Sequence, residues 1–210
     1  IMIVAMAVIG QKQNITYYIL LFAAIMISNL GDYAISVSDT LNSALVGQSM
    51  VYLGGVFTPI LVLFSTMKLC KMKIPTVLWS ILVTIASVVM FFVFTVDKTK
   101  LYYKSLTLGK ANGMTILIKE RGPMHNLYMI LLFGCVILTL GVSIYSIFKK
   151  KNVSYRTIVL LLMVEVVAIA SYLIERVCGL DFELLPFAYI FDEFIFIGLV
   201  RKISRYEITE

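Results

Sequence analysis

The sequence predicts an all-α integral membrane protein: a bundle of seven transmembrane helices, the first one truncated, with a small extracytoplasmic β-hairpin between helices 4 and 5. Of its 210 residues, 60% are hydrophobic and only 14% are charged, whereas soluble domains are nearer half apolar and a quarter charged. Continuous apolar segments recur at about twenty residues each, the length that crosses a bilayer as a helix. Basic residues concentrate in alternate connections, as in multi-pass proteins. These observations exclude a soluble domain, a disordered chain and a nucleic-acid-binding protein, despite the net charge of +6.

A short apolar segment precedes six longer ones. Ile1–Gly10 is too short to span alone, and it lacks an initiator Met and the charged front of a signal peptide. We interpret it as the cytoplasmic half of the first helix. The longer segments are continuous and do not alternate as barrel strands do, so they predict helices. These six spans are predicted at Ile15–Ile35, Leu41–Leu69, Ile74–Val96, Met124–Phe148, Thr157–Val177 and Leu184–Val200.

Two local features modify the third predicted helix. Asp39 is expected to cap its beginning at Leu41. Pro59 lies well inside the helix, after Gly54 and Gly55, which predicts a kink or a close contact with another helix.

Basic residues predict the orientation. One set of connections is strongly basic and is assigned to the cytoplasm, which leaves the N-terminus outside and the C-terminus inside. The opposite connections hold most of the acids, with some basic residues among them. The cytoplasmic set is Lys12, Lys68, Lys71, Lys73, Lys149, Lys150, Lys151, Arg156, Arg201, Lys202 and Arg205.

The longest connection, Asp97–Gly122, is predicted on the outside. Its β-prone runs Leu101–Leu108 and Met114–Lys119 flank a turn of Gly, Lys, Ala, Asn and Gly, which indicates a hairpin. The alternative is a solvated connector. Gly122 and Pro123 then begin the next helix, with Pro at a tolerated first-turn position.

Polar side chains inside the spans are the candidates for function, because ionisable groups in a membrane are costly and need a partner or a purpose. Helical spacing places several on common faces, including Gln48 with Tyr52. One interpretation is a pocket open to the outside, lined by tyrosines and acids, for a small cationic or amphipathic molecule. The other is an internal polar network, in which Arg176 pairs with Asp192 or Glu175. The candidate ligand-binding residues are Asp32, Tyr33, Tyr52, His125, Tyr128, Glu165, Tyr172, Arg176, Tyr189, Asp192 and Glu193.

The sequence predicts no catalytic site, metal site or cofactor. Cys70, Cys135 and Cys178 are far apart and have no metal-binding or redox spacing. There is one histidine, and no motif of a serine hydrolase or a zinc protease. Retinal is excluded because the last helix has no lysine before Lys202.

The order of features resembles the seven-helix N-terminal membrane sensor region of bacterial histidine kinases and diguanylate cyclases. The resemblance covers essentially the whole chain. The residues that carry it are Leu53-Gly54-Gly55 with Pro59, the basic turn Lys71–Pro75 before Trp79, Gly122-Pro123 followed by His125 and Tyr128, the acidic segment Asp181–Pro186, and Arg201–Tyr206.

This resemblance implies a non-catalytic sensor in the bacterial cytoplasmic membrane, with residues 1–200 as the sensor domain. Residues 201–210 would begin a connector to a cytoplasmic output domain, to which the last helix would pass the signal. It also implies a homodimer in the full-length protein, with a small-molecule ligand and membrane lipid as the other partners. A small transporter or an ion or proton channel, using the intramembrane acids, is the alternative.

Overall fold

The computed structural model describes residues 16–111, 113–149, 155–178 and 184–207. The predicted first span, Ile1–Gly10, lies outside them. The described part contains helices and one two-stranded antiparallel sheet. In chain order the elements are α1 (Thr16–Ser36), α2 (Leu41–Leu69), α3 (Thr76–Phe94), β1 (Tyr103–Ala111), β2 (Met114–Arg121), α4 (His125–Lys149), α5 (Tyr155–Cys178) and α6 (Leu185–Glu207).

The six longer predicted spans correspond to α1 through α6. Their bounds agree to within two residues, except that α6 continues to Glu207. The boundary expected at residue 200 therefore falls inside a continuous helix. Four of the described helices, α1 to α4, are long and apolar enough to cross a membrane.

The chain divides into two compact units. We call the one formed by Ala24–Ile60 and Ile74–Cys135 the hairpin unit, because it contains β1 and β2. The other comprises Leu61–Lys73 together with the chain before Ala24 and after Cys135, and we call it the α5–α6 unit. Helices α1, α2 and α4 contribute residues to both units.

Within the hairpin unit, α1 and α2 pack closely at glycines. A Cβ atom added to Gly31 would lie 2.6 Å from the backbone nitrogen of Val51. One added to Gly54 would lie 2.7 Å from the backbone nitrogen of Ser28. The Ser28 hydroxyl also donates a hydrogen bond to the Val51 carbonyl at 3.3 Å. The close helix contact predicted near Gly54 is therefore present, since only glycine leaves room for the two backbones.

The beginning of α2 is capped by Thr40, so the expectation of an Asp39 cap was wrong. Thr40 Oγ1 accepts a hydrogen bond from the Ser43 backbone N–H at 3.2 Å. The Ser43 hydroxyl accepts one from the Thr40 backbone N–H at 3.3 Å. This is the reciprocal arrangement of a capping box, with serine in place of the usual glutamate. Asp39 lies one position too early to reach the first helical turn.

The predicted hairpin is present, with a shorter turn than expected. Ala111 pairs directly with Met114, and Gly113 has a φ of 79°. A two-residue Asn-Gly connection favours such a tight turn. Gly109, Lys110 and Ala111, which were predicted to belong to the turn, are therefore part of β1.

One face of the hairpin is anchored to the connection between α1 and α2. Leu117 shares a buried cluster with Ile35 and Ala44. The Thr115 hydroxyl donates a hydrogen bond to the Ser38 carbonyl at 2.8 Å. Leu106 and Leu108 of β1 pack against the same cluster.

The α5–α6 unit has its own aromatic contacts. The Tyr18 hydroxyl donates to the Ser65 carbonyl at 3.2 Å, and the Tyr18 ring lies 6.1 Å from that of Phe196. The Lys68 ammonium group lies 5.8 Å from the centre of the Tyr17 ring, a cation–π distance.

Candidate functional site

Five aromatic side chains meet inside the hairpin unit, and we call them the aromatic cluster: Tyr52, Tyr102, Tyr103, His125 and Tyr128. Tyr52 lies on α2, Tyr102 and Tyr103 lie at the start of the hairpin, and the other two occupy the first turn of α4. The cluster thus joins three elements that are distant in sequence.

The rings contact one another edge to face. Tyr52 lies 5.3 Å from both Tyr102 and Tyr128, with interplanar angles of 87° and 68°. Tyr102 lies 5.1 Å from Tyr103 and 5.4 Å from His125. Such T-shaped pairs place the positive edge of one ring against the negative face of another and contribute about 0.5–1.5 kcal/mol each beyond their buried area.

A chain of hydrogen bonds runs through the cluster from Gln48, one turn before Tyr52 on α2. The Gln48 amide nitrogen donates to the Tyr103 hydroxyl at 3.3 Å. The Tyr103 and Tyr52 hydroxyls are hydrogen-bonded at 2.6 Å. The Tyr52 hydroxyl lies 3.5 Å from His125 Nδ1, a long contact. If Tyr52 donates to Nδ1, the neutral imidazole carries its proton on Nε2.

Two polar atoms of this site are buried and make no hydrogen bond within the described part of the chain. They are Gln48 Oε1 and His125 Nε2. Their residues are 2% and 6% exposed. Buried polar atoms without a partner are uncommon in proteins, because each costs about 1–3 kcal/mol of desolvation.

An irregularity in the strand follows the two hairpin tyrosines. Tyr103 pairs with Arg121, but Ser105 pairs with Glu120, so Lys104 is an extra residue in β1. Bulges of this kind redirect side chains near functional sites. Burial raises the pKa of the Tyr102 hydroxyl well above its ordinary value, and the neighbouring Tyr52 raises it further. Tyr102 is therefore a neutral hydrogen-bonding group at physiological pH.

Among the predicted ligand-binding residues, the structure brings together Tyr52, His125 and Tyr128. The face shared by Gln48 and Tyr52 was also recognisable from helical spacing. Tyr102 and Tyr103 were not among the candidates. The sequence distinguished these two residues only as adjacent tyrosines at the start of a predicted strand.

The two candidates on α1 differ in exposure. Tyr33 is 66% exposed and does not appear among the ring contacts of the cluster. Asp32 is half-buried, and it has interactions within the protein.

The remaining candidates lie on α5 and α6. Tyr189 and Asp192 are buried, at 7% and 3% exposure, and Glu193 is half-buried. All three belong to the α5–α6 unit. The side chains of Glu165, Tyr172 and Arg176, on α5, lie outside the described part of the structure.

The cluster is suited to binding rather than to metal chemistry. It offers flat ring surfaces, hydroxyl groups and an imidazole in a buried setting, which can hold an organic molecule by stacking and hydrogen bonds. In the residues the structure describes, no group of three or more His, Cys, Asp and Glu side chains could hold a metal ion. The cysteines are free: Cys70 and Cys135 are buried, and Cys178 is exposed.

Comparison with known proteins identifies one family. A family model described as the N-terminal 7TM region of histidine kinase matches residues 1–207. A search of curated proteins gave no match.

Proposed function

The chain belongs to the family of N-terminal 7TM regions of histidine kinases, and we propose that it senses a small molecule through the aromatic cluster. The family supports a membrane sensor input module. Binding of a ligand, and its transmission to an output domain, are our proposal.

The observation that carries the proposal is the pair of buried polar atoms without hydrogen-bond partners in the described part of the chain, Gln48 Oε1 and His125 Nε2. Such atoms are costly because burial removes the hydrogen bonds that they would make to water. A ligand with a flat apolar body and hydrogen-bonding groups would stack on the rings and satisfy these atoms. The free energy recovered would contribute to its affinity.

The position of the cluster supports a role in transmission. A ligand that contacts Tyr52, Tyr103 and His125 would engage α2, the hairpin and α4 together, so it could favour one arrangement of the three over another. Both helices also contribute residues to the α5–α6 unit. We propose that α6, which continues to Glu207, carries the signal toward a cytoplasmic output domain.

We also propose the membrane arrangement that accompanies this function. The six described helices and the segment at Ile1–Gly10 would form seven spans in the bacterial cytoplasmic membrane. The basic connections place the C-terminus in the cytoplasm and the hairpin outside. Output domains of this class act in pairs, which supports a homodimer of the full-length protein.

The test is a thermal-shift screen of the purified chain in lipid nanodiscs against amines, amino acids, aromatic acids and fatty acids. A ligand of this site should raise the midpoint of unfolding in a concentration-dependent manner. Tyr103→Phe keeps the ring but removes hydrogen bonds to Tyr52 and Gln48, so it should weaken that ligand about tenfold.

The matched control is Tyr145→Phe, because Tyr145 is 48% exposed on α4 and belongs to the other unit. It should leave affinity unchanged. If no compound shifts the unfolding midpoint, or if both variants weaken binding equally, the aromatic cluster is not the ligand site.

One observation favours the transport alternative. Asp192 is an acid buried on α6, and buried intramembrane acids are typical of proton and cation pathways. Proton flux in liposomes that is abolished by Asp192→Asn would support transport. A sensor module should show no flux above protein-free liposomes.

A further inference from the structure

The face of β2 that is directed to the helices ends in two basic residues. Leu117 of β2 packs against the connection between α1 and α2. Side chains alternate along a strand, so Lys119 and Arg121 belong to the same face as Leu117. The acid of β2, Glu120, belongs to the opposite face, where it pairs with Lys104 at 3.7 Å. The helix-directed face of the strand is therefore positively charged at its end.

This basic end of β2 is joined to the aromatic cluster. Arg121 pairs directly with Tyr103, so the two side chains lie on the same face of the sheet. The next residue, Gly122, donates from its backbone N–H to the Tyr102 carbonyl at 2.8 Å, and its own carbonyl accepts from the His125 N–H at 3.2 Å. Burial is the main cause of the raised pKa of Tyr102, and the positive charge of Arg121 acts in the opposite direction. The charge of Arg121 therefore acts on the buried cluster.

Arg121 is well suited to bind a carboxylate. It is exposed, and within the described residues it makes no ion pair. Lys119 is half-buried and has interactions within the protein, and it adds a second positive charge to the same face. A guanidinium group can bind a carboxylate through two parallel hydrogen bonds. The charges beside the cluster therefore favour an anionic ligand over a cation.

The direction of the hydrogen bonds in the cluster specifies two further contacts. Gln48 donates to the Tyr103 hydroxyl. If Tyr103 then donates to Tyr52, and Tyr52 to His125 Nδ1, every hydroxyl hydrogen in this chain of contacts has an acceptor. The reverse direction leaves the Tyr103 hydrogen without one. The imidazole proton is consequently on Nε2, so Nε2 requires an acceptor and Gln48 Oε1 requires a donor from the ligand.

We propose that the ligand of the aromatic cluster is an aromatic carboxylic acid that also carries a hydroxyl or N–H group. Its ring would stack on the tyrosines. Its carboxylate would bind Arg121 and accept a hydrogen bond from His125 Nε2, and its hydroxyl or N–H group would donate to Gln48 Oε1. This inference rests on the proposed function and names the class of its ligand. It differs from the cationic ligand that the sequence suggested, because the charges beside the cluster are basic.

The test compares three compounds that share a hydroxyphenyl ring and differ in charge: hydroxyphenylpropionate, its amide and the corresponding amine. Each is titrated into the full chain in zwitterionic nanodiscs and followed by isothermal titration calorimetry. The acid should bind saturably, and the amide and the amine should bind about tenfold more weakly, because they lose the charge-assisted hydrogen bonds to Arg121. Phenylpropionate lacks the hydroxyl group that would donate to Gln48, and it should bind about fivefold more weakly than hydroxyphenylpropionate.

Arg121→Gln and Lys110→Gln form a matched pair of variants. Each removes one positive charge from the helix-directed face of the hairpin, since Lys110 pairs with Thr115. The two sites are separated by about 20 Å along the strand, which exceeds the screening length of about 10 Å at moderate salt. Arg121→Gln should weaken the acid about tenfold and leave the amide unchanged. Lys110→Gln should leave both affinities unchanged, and circular dichroism of both variants should match the original chain.

The outcomes separate this inference from the proposed function. If the amine binds more tightly than the acid, the inference fails, whereas loss of amine binding in Tyr103→Phe would retain the proposed function. Acid binding that Arg121→Gln leaves unchanged also overturns the inference. If Arg121→Gln weakens the acid but Tyr103→Phe does not, the acid binds outside the cluster and both ideas fail. Absence of saturable acid binding overturns the inference, and the thermal-shift screen then decides the proposed function by itself.

Discussion

Close packing of α1 against α2 makes a quantitative prediction for Gly54→Ala. The added methyl group would lie 2.7 Å from both the backbone nitrogen and the Cβ atom of Ser28. Ordinary van der Waals contact begins at 3.4 Å, so relief of the Ser28 contacts alone requires the helices to separate by about 0.7 Å. The carbonyl oxygen of Ala24 is closer still. These are backbone or near-backbone atoms, so no side-chain rotation can relieve the contact.

The magnitude follows from two opposing effects. Overpacking of this kind costs about 1–3 kcal/mol, whereas replacing glycine by alanine inside a helix stabilises by up to about 1 kcal/mol. Gly134→Ala is a matched control, because a Cβ atom on Gly134 meets nothing within 4 Å. Both variants share the gain in helix propensity. The difference between the free energies of unfolding of the two variants therefore isolates the steric cost, which is expected to be about 1–3 kcal/mol.

The assay is unfolding by sodium dodecyl sulfate, followed by circular dichroism, in the same nanodisc or detergent for all variants. Gly55→Ala is a second control at the adjacent position, where the added methyl group would lie 3.7 Å from the Tyr128 hydroxyl. It should behave as Gly134→Ala does. Equal stability of the Gly54 and Gly134 variants would refute the inference that α1 and α2 are in backbone contact.

Three further predictions concern the capping and attachment of the hairpin unit. Thr40→Ala removes the capping box of α2 and should lower the free energy of unfolding by about 1 kcal/mol, measured in the same detergent titration; no change would mean that the cap is not formed. Thr115→Val removes the hydrogen bond to Ser38 and should cost about 1 kcal/mol, with faster hydrogen exchange of the hairpin amides than of those in α2. Burial raises the pKa of Tyr102 in the folded protein above the ordinary tyrosine value of about 10. The stability due to its neutral form is therefore complete below about pH 10 and is lost as the pH rises above it. Tyr102→Phe should therefore reduce the loss of stability in alkaline solution, and an unaltered pH profile would contradict the burial of this hydroxyl.

The helices were predictable because the bilayer sets their length and their apolar character. A continuous apolar run of the required length predicted α2 at Leu41–Leu69. The Asn-Gly pair predicted the position of the hairpin turn. Predictions that depended on a single residue were less secure. The cap of α2 required knowing whether Asp39 or Thr40 precedes the first helical residue, and sequence leaves such boundaries uncertain by a residue or two.

Three of the five residues of the aromatic cluster could be predicted, for an identifiable reason. Tyr52, His125 and Tyr128 lie on helices, where periodicity indicates which residues share a face. Tyr102 and Tyr103 are adjacent in a segment that enters a strand, and alternation would direct adjacent side chains to opposite faces. Tyr102, however, lies just before β1, which begins at Tyr103, so strand alternation does not apply to this pair. The residue at which a strand begins is not set by a local pattern.

The hydrogen bonds of the cluster also constrain the order in which the protein can be assembled during synthesis. Tyr52 contacts Tyr103 and His125 across separations of 51 and 73 residues. Translation proceeds from the N-terminus, so α2 is synthesised before the hairpin and α4 exist. Its polar groups must then be satisfied by water, by lipid headgroups or by the insertion machinery. Formation of the cluster is consequently a late event in biogenesis, and it coincides with the arrival of α4 in the membrane.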